Sequence, residues 1–237
     1  IKADAFAVLA RQELPAAEAL LARSVEMNAT VAREGLEFGV LGRGVAVGGQ
    51  VLTLKGLRSE YEDIFLPLFG EHQADNAAVA LAAVEAFIGG GNEELDVEIV
   101  REGFALVTSP GRLEIIRRNP AVILDAAHNP HGARALANAI ADSFDFAQLF
   151  AVVGVMIDKD AAGFLAALEP VVDRVIVTES TSGRAMPAGT LTEIAISIFG
   201  ADRVWTEPAL LAAVDRAFAL AEESGEFGGV GVLITGS

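Results

Sequence analysis

The sequence contains no cysteine. That excludes disulfides and thiolate metal sites, and it is compatible with a reducing, cytoplasmic setting. No uninterrupted apolar run reaches the ~18 residues of a membrane-spanning helix. Positive charge is scarce: 17 Lys and Arg stand against 33 Asp and Glu, a formal net charge of -16. The balance argues against nucleic acid and against an anionic membrane surface as partners. A nucleotide remains compatible, because a few placed arginines and a divalent ion can hold phosphate locally. There are only three lysines and three histidines, so each position stands out. An initiator methionine is also lacking; the first methionine is Met27. Ile1-Lys-Ala-Asp-Ala-Phe6 resembles neither a signal peptide nor a natural start. The chain stops at Ser237, directly after a strand-like run, so both ends are expected to be cut.

What is present is apolar and regular. Hydrophobic residues make up 52% of the 237, enough for well-packed cores in one large domain or two ordinary ones. Up to residue 107 the pattern predicts mixed α/β structure. A helix is expected over Pro15–Asn28, glycine-punctuated strands within Gly35–Leu57 at Phe38–Leu41, Val45–Val47 and Val51–Leu54, and an alternating segment over Tyr61–Phe69. An alanine-rich helix is expected over His72–Phe87 and a short one over Leu95–Leu106. Thr108-Ser-Pro-Gly111 is the expected hinge. Beyond it, Leu113–Arg117 and Ala121–Leu124 are expected to form a hairpin around Asn119-Pro120. Strand and helix then alternate: helix 132–143, strand 149–155, helix 161–169, strand 174–178, helix 187–198, strand 203–205, helix 208–222, strand 230–235. That order predicts an α/β fold with a doubly wound, mostly parallel sheet and one antiparallel strand at its start.

Val122-Ile-Leu-Asp-Ala-Ala-His-Asn-Pro-His-Gly132 carries the strongest chemical signal. A β-branched run ends in Asp125, and His128 follows in the turn before a helix. Strand, polar turn and helix place ligand-binding groups at the carboxyl end of a parallel sheet. Asp125 could hold a ribose hydroxyl, a metal or an ammonium group, and His128 could donate to a phosphate or carboxylate. Equally, Asp125 could cap the next helix and His128 pack in the turn. In Gly70-Glu-His-Gln-Ala-Asp-Asn-Ala77, His72 and Asn76 lie four apart on one helix face. The Asn76 amide both donates and accepts, as an adenine edge requires; the plain alternative is an ordinary polar first turn. Arg112, directly after Pro-Gly, could clamp a phosphate bidentately or be a surface arginine beside a turn. Asp158-Lys-Asp160 follows the second parallel strand, at the same sheet edge. Lys159 there could meet a ligand or belong to a helix N-terminal charge cluster.

Together these segments resemble the C-terminal part of the folylpolyglutamate synthase / dihydrofolate synthase family, within the Mur ligase superfamily. The resemblance rests on Leu66-Pro-Leu-Phe-Gly-Glu-His-Gln-Ala-Asp-Asn-Ala77, Pro110-Gly-Arg-Leu-Glu114, Leu124-Asp-Ala-Ala-His-Asn-Pro-His-Gly-Ala133, Asp158-Lys-Asp160 and Leu233-Ile-Thr-Gly-Ser237, in the family's order. It implies that residues 1–107 end a central ATP-binding domain, 108–111 form the hinge, and 112–237 form a Rossmann-like glutamate ligase domain. It implies ATP and Mg2+ as cofactors, dihydropteroate or folate and L-glutamate as substrates, and a monomer. By carry-over, Asn76 contacts adenine, Arg112 the phosphates and Asp125 the ribose or nearby nucleotide. Asp125 and His128 serve the chemistry. His128, Ser237 and Lys159 line the glutamate entrance of an interdomain cleft. No magnesium ligand is expected in this chain. The family's phosphate-binding loop, Gly-x-x-x-x-Gly-Lys-Ser/Thr, is missing, since no Gly-Lys dipeptide occurs. The 237 residues alone are therefore expected to be a fragment without ligase activity. A Mur peptidoglycan ligase and a non-catalytic nucleotide- or amino-acid-binding module are the rival readings.

Overall fold

The computed structural model describes residues 1–223 and 229–237. The chain divides into two compact units, Ile1–Thr108 and Ser109–Ser237. No helix among the described residues is long and apolar enough to cross a membrane.

In the first unit, β1 (Phe6–Leu9) and β2 (Thr30–Arg33) pair in parallel, linked by α1 (Leu14–Glu26) with Pro15 in its first turn. Neither strand is evident in the sequence: four residues are too few to show a period. A meander follows, β3 (Gly39–Ala46), β4 (Gly49–Lys55) and β5 (Glu60–Leu66), antiparallel throughout. The two expected strands at Phe38–Leu41 and Val45–Val47 are one, β3, interrupted by a bulge between Val40 and Gly42. Along β4, Leu52 and Leu54 are buried on the face turned to α2 (Glu71–Gly89). That helix offers Ala74, Ala77, Ala78, Leu81 and Ala82 at the spacing of a single stripe. Small side chains allow close approach, and Tyr61, Ile64 and Leu66 of β5 close the core. α3 (Val97–Ala105) is capped by Asp96, whose carboxylate accepts from the amides of Glu98 and Ile99 at 2.8 and 3.3 Å.

The second unit has the predicted architecture. A six-stranded sheet runs in the order β10 (Val204–Thr206), β9 (Arg174–Val177), β8 (Gln148–Gly154), β11 (Val230–Gly236), β7 (Ala121–Asp125), β6 (Glu114–Arg118). All neighbours are parallel except β6 against β7. Helices α4 (Pro130–Ser143), α5 (Ala161–Leu168), α6 (Ala188–Phe199) and α7 (Leu210–Glu223) make the connections. α4 begins two residues before the expected 132, because Asn129 caps it and Pro130 enters its first turn with a ready-made φ.

Strands buried on both faces read as unbroken apolar runs, and Leu149-Phe-Ala-Val-Val153 is at most 1% exposed throughout. Phe150, Val152, Val122 and Val232 pack on Ala213, Ala217 and Leu220 of α7. Their alternates Ile123, Asp125, Val153, Leu233 and Thr235 therefore belong to the opposite face. From β7 the chain passes to β8, winds outward through β9 and β10, and returns to insert β11 between β7 and β8. The winding reverses there, so the carboxyl ends of β7, β11 and β8 lie side by side. Such a reversal leaves a crevice outside the strand ends.

Candidate functional site at the carboxyl edge of the six-stranded sheet

Asp125 is the last residue of β7 and is half-buried. Its Oδ1 accepts from the Ala127 amide at 2.8 Å and its Oδ2 from the Leu113 amide at 3.0 Å. It does not cap α4; Asn129 does, accepting from the Gly132 amide at 2.8 Å. Asp125 instead ties two turns together. In the other turn, Gly111 and Leu113 both have positive φ, 69° and 46°. Glycine tolerates this freely; for Leu113 it costs on the order of 1–3 kcal/mol. The Asp125 bond and burial of the Leu113 side chain, 3% exposed, offset that cost. The Gly111 amide donates to Glu114 Oε2 at 2.8 Å, and the Ala126 amide donates to the Gly111 carbonyl at 2.8 Å. Pro-Gly-Arg-Leu-Glu and Asp-Ala-Ala-His are thus one interlocked structure. Arg112 lies between its two positive-φ residues and is exposed. Its guanidinium makes no hydrogen bond or ion pair among the described residues.

His128 is held by its Nδ1, 2.9 Å from the Ala126 carbonyl. A carbonyl only accepts, so Nδ1 carries the proton; this hydrogen bond assigns the tautomer. Nε2 of the neutral ring is then left as an acceptor. The Thr235 hydroxyl, on the neighbouring β11, donates to the Ala127 carbonyl at 3.3 Å.

The end of β11 shapes the next part of the edge. Gly236 pairs with Gly154, and its φ of 113° belongs to glycine. A Cβ at Gly236 would run into the Gly154 carbonyl. The close approach brings the Ser237 amide to the Gly154 carbonyl at 2.9 Å, and Ser237 Oγ accepts from the Met156 amide at 3.1 Å. That serine fixes the start of the β8–α5 loop, which carries Asp158, Lys159 and Asp160. Asp160 is the α5 cap, accepting from Gly163 at 2.8 Å. Asp158 pairs with Arg184 Nη2 at 2.8 Å. That hydrogen bond holds the Asp158 carboxyl below the usual aspartate range. Lys159 is half-buried, and its ammonium has no partner among the described residues.

A cleft of about 320 Å3 opens above these strand ends. Gly111, Asp125, Thr178, Glu179, Ser180 and Ser237 contribute to its wall, over a floor that includes Leu124, Val152 and Ile234. The β9 segment, Thr178-Glu-Ser180, was not singled out from the sequence. The available signal was positional: a polar triplet directly after an apolar parallel strand. Glu179 Oε2 accepts from the Ala188 amide at 2.9 Å, supplying the cap that Pro187 cannot give α6. Arg112, Asp125, His128, Ser237 and Lys159 therefore all belong to the strand-end turns of β7, β11 and β8 or the turn locked onto them. Asn76 belongs to the first unit. It is exposed on the second turn of α2, and its Nδ2 donates to Gln73 Oε1 at 3.3 Å. Asp75 beside it is partly buried near Glu34 and Glu71. Burial first, then these like charges, push its carboxyl up to about 6.

Residues 111–237 match the family model described as Mur ligase, glutamate ligase domain. The chain belongs to the Mur ligase family. It is 52% identical, over 243 aligned residues and 99% of its length, to a dihydrofolate synthase/folylpolyglutamate synthase of Mycobacterium tuberculosis (strain ATCC 25618 / H37Rv), covering 50% of that relative. The chain spans half or less of the length of such curated relatives. Its fold overlays a Mycobacterium tuberculosis folylpolyglutamate synthase complexed with ADP with a TM-score of 0.94 at 52% identity, covering 98% of this chain and 52% of that one. A bifunctional folylpolyglutamate synthase/dihydrofolate synthase with Mn, AMPPNP and L-glutamate bound gives a TM-score of 0.78 at 25% identity, covering 100% and 51%.

Proposed function

We propose that this chain belongs to an ATP-dependent ligase that adds L-glutamate to dihydropteroate, to folate glutamates, or to both. The carrying observation is the strand-end edge of the second unit, where three candidate ligand groups stay available while their neighbours are consumed in holding them. Arg112 and Lys159 present unpaired cations, and His128 an open Nε2. Phosphate and carboxylate groups are the natural ligands of the two cations, and an N–H donor such as an ammonium group is that of the open Nε2.

A carboxylate is a poor acyl donor. Transfer of the ATP γ-phosphoryl group to it gives an acyl phosphate and ADP. Attack by the glutamate amine then forms the amide, expels inorganic phosphate and releases a proton. Charge develops on the transferring phosphoryl oxygens, and cations stabilise it. In this reading Asn76 meets the adenine and Arg112 the phosphates. Asp125 holds the ribose or nearby nucleotide with the acceptor capacity left after its two amide bonds. An ionised carboxylate offers about four lone-pair sites, so two amides do not saturate it. Asp125 and His128 serve the chemistry, and His128, Lys159 and Ser237 receive glutamate. The Ser237 hydroxyl keeps its proton to donate, since its oxygen accepts from Met156. Residues 1–107 act as part of an ATP-binding domain and 112–237 as the glutamate ligase domain.

Magnesium accompanies ATP in this chemistry. Among the described residues no cluster of three or more Asp, Glu or His side chains is arranged to hold a metal ion.

The test is ATP-dependent incorporation of labelled L-glutamate by the protein as its gene encodes it, offered dihydropteroate, tetrahydrofolate or a UDP-muramoyl substrate. Incorporation into the pterin substrates supports the assignment; incorporation only into the UDP-muramoyl substrate replaces it with a peptidoglycan ligase. The 237 residues alone, without a Gly-Lys phosphate loop, are expected to give none. Turnover by that chain would contradict this part of the proposal.

A further inference from the structure

Lys159 stands between two aspartates yet pairs with neither. Both carboxylates are engaged: Asp160 by the Gly163 amide at the head of α5, Asp158 by Arg184 at 2.8 Å. Without those engagements Asp158 is the natural partner of Lys159, close enough for the ammonium to contribute to its lowered titration. Arg184 is itself held in place. Its carbonyl accepts from the Ile157 amide at 2.9 Å, the Met186 amide donates to the Val155 carbonyl at 2.9 Å, and Met156 bridges Ala185 antiparallel. The β9–α6 loop is thus stitched to the β8–α5 loop by backbone on both sides of the pair. This stitching brings the Arg184 guanidinium to Asp158 without help from any ligand.

We infer that Arg184 is a positioning residue, which occupies Asp158 so that the Lys159 ammonium stays open to the carboxylate of the incoming amino acid. The inference rests on the reading of Lys159 as a glutamate contact. Arg184 touches no substrate in it and acts by removing an intramolecular competitor. A guanidinium suits the task because it stays charged at every working pH, and here it holds Asp158 through one Nη2–Oδ1 contact. The pair is exposed, so it is worth no more than an ordinary surface ion pair. The expected effect on affinity is correspondingly a few-fold.

The chain has three lysines, Lys2, Lys55 and Lys159. Labelling lysine Cε with 13C therefore yields three signals, and Lys159→Arg assigns the one of interest. L-Glutamate is titrated against the whole 237-residue chain, with acetate at matched ionic strength as control. In the parent chain the Lys159 signal moves with glutamate and moves less with acetate. Arg184→Ala weakens that response about threefold, Arg184→Lys weakens it less, and adding Asp158→Asn to Arg184→Ala restores the parent affinity. Restoration separates a competitor effect from damage to the loop, since the double variant lacks both partners of the pair. Unchanged affinity in Arg184→Ala, or a loss that Asp158→Asn does not restore, overturns the inference and leaves Lys159 as a glutamate contact. If the Lys159 signal of the parent chain ignores L-glutamate, that reading fails and takes the inference with it.

Discussion

Glu85 of the first unit and the strand-end carboxylates of the second are used in opposite ways. In the first, Glu85 is wholly buried and accepts from the Tyr61 hydroxyl at 2.7 Å and from the Leu57 amide. The Tyr61 oxygen in turn accepts from the Leu95 amide at 2.9 Å. This network knots the loop after β4, the start of α3 and the middle of α2 into the core. In the second unit, Asp125, Asp158 and Asp160 are half-buried or exposed. They bind backbone amides or Arg184 in the turns carrying Arg112, His128 and Lys159. A carboxylate is a structural bolt in one unit and a jig for presenting other groups in the other. The depth of the carboxylate and what its partner is attached to make the difference.

The largest break in that comparison is Glu85→Ala. It leaves the buried Tyr61 hydroxyl and the part-buried Leu57 amide without an acceptor, at about 1–3 kcal/mol for each unsatisfied donor. Chemical denaturation should show the first unit unfolding separately and earlier. Asp125→Ala should cost less, about 1–3 kcal/mol, because its two amides lie nearer water and Leu113 loses the support of its positive φ. It should also lower ligase activity at least tenfold, as the Arg112 and His128 turns come apart; full activity with a loosened second unit would make Asp125 purely structural. Lys159→Met and Arg112→Ala should leave stability within about 0.5 kcal/mol, since neither side chain has a partner among the described residues and Lys159→Met keeps the apolar stem of a half-buried side chain. The first should raise the KM for glutamate and the second that for ATP. A change in melting temperature without a change in either KM would put these side chains in the scaffold.

A pH-dependent effect sharpens the first unit. Asp75 has its folded pKa raised from 3.8 to about 6. Between those values the folded state binds more protons than the unfolded one, so stability falls as pH rises through this window. Asp75→Asn removes the penalty. Its melting temperature should exceed the parent's above pH 6 and converge with it below pH 4; a gain that persists at pH 3 would rule out this cause.

The sequence revealed the second unit more fully than the first, for a physical reason. Long parallel strands buried on both faces leave apolar runs, and capped helices between them leave Asn-Pro and alanine signals. The sheet there, with its antiparallel β6, follows directly. β1 and β2 are too short for a period, and the bulge in β3 made one strand read as two. At the site, Asp125 and His128 stood out because a lone polar group ends an apolar run. Their bonds did not: the partners are backbone amides, which have no letter in the sequence. The competition for Asp158 was hidden for another reason, since Arg184 lies 26 residues away and meets it only through the β8 and β9 loops.

The central proposal is that Arg112 and Asp125 of the second unit, and Asn76 of the first, each take part in ATP-dependent glutamate ligation. Its most direct test is kinetic, on the protein as its gene encodes it, with dihydropteroate, ATP and L-glutamate. Arg112→Ala, Asp125→Ala and Asn76→Ala should each lower kcat/KM at least tenfold, with Asn76→Ala acting mainly through the KM for ATP. Wild-type kinetics in all three would contradict the account.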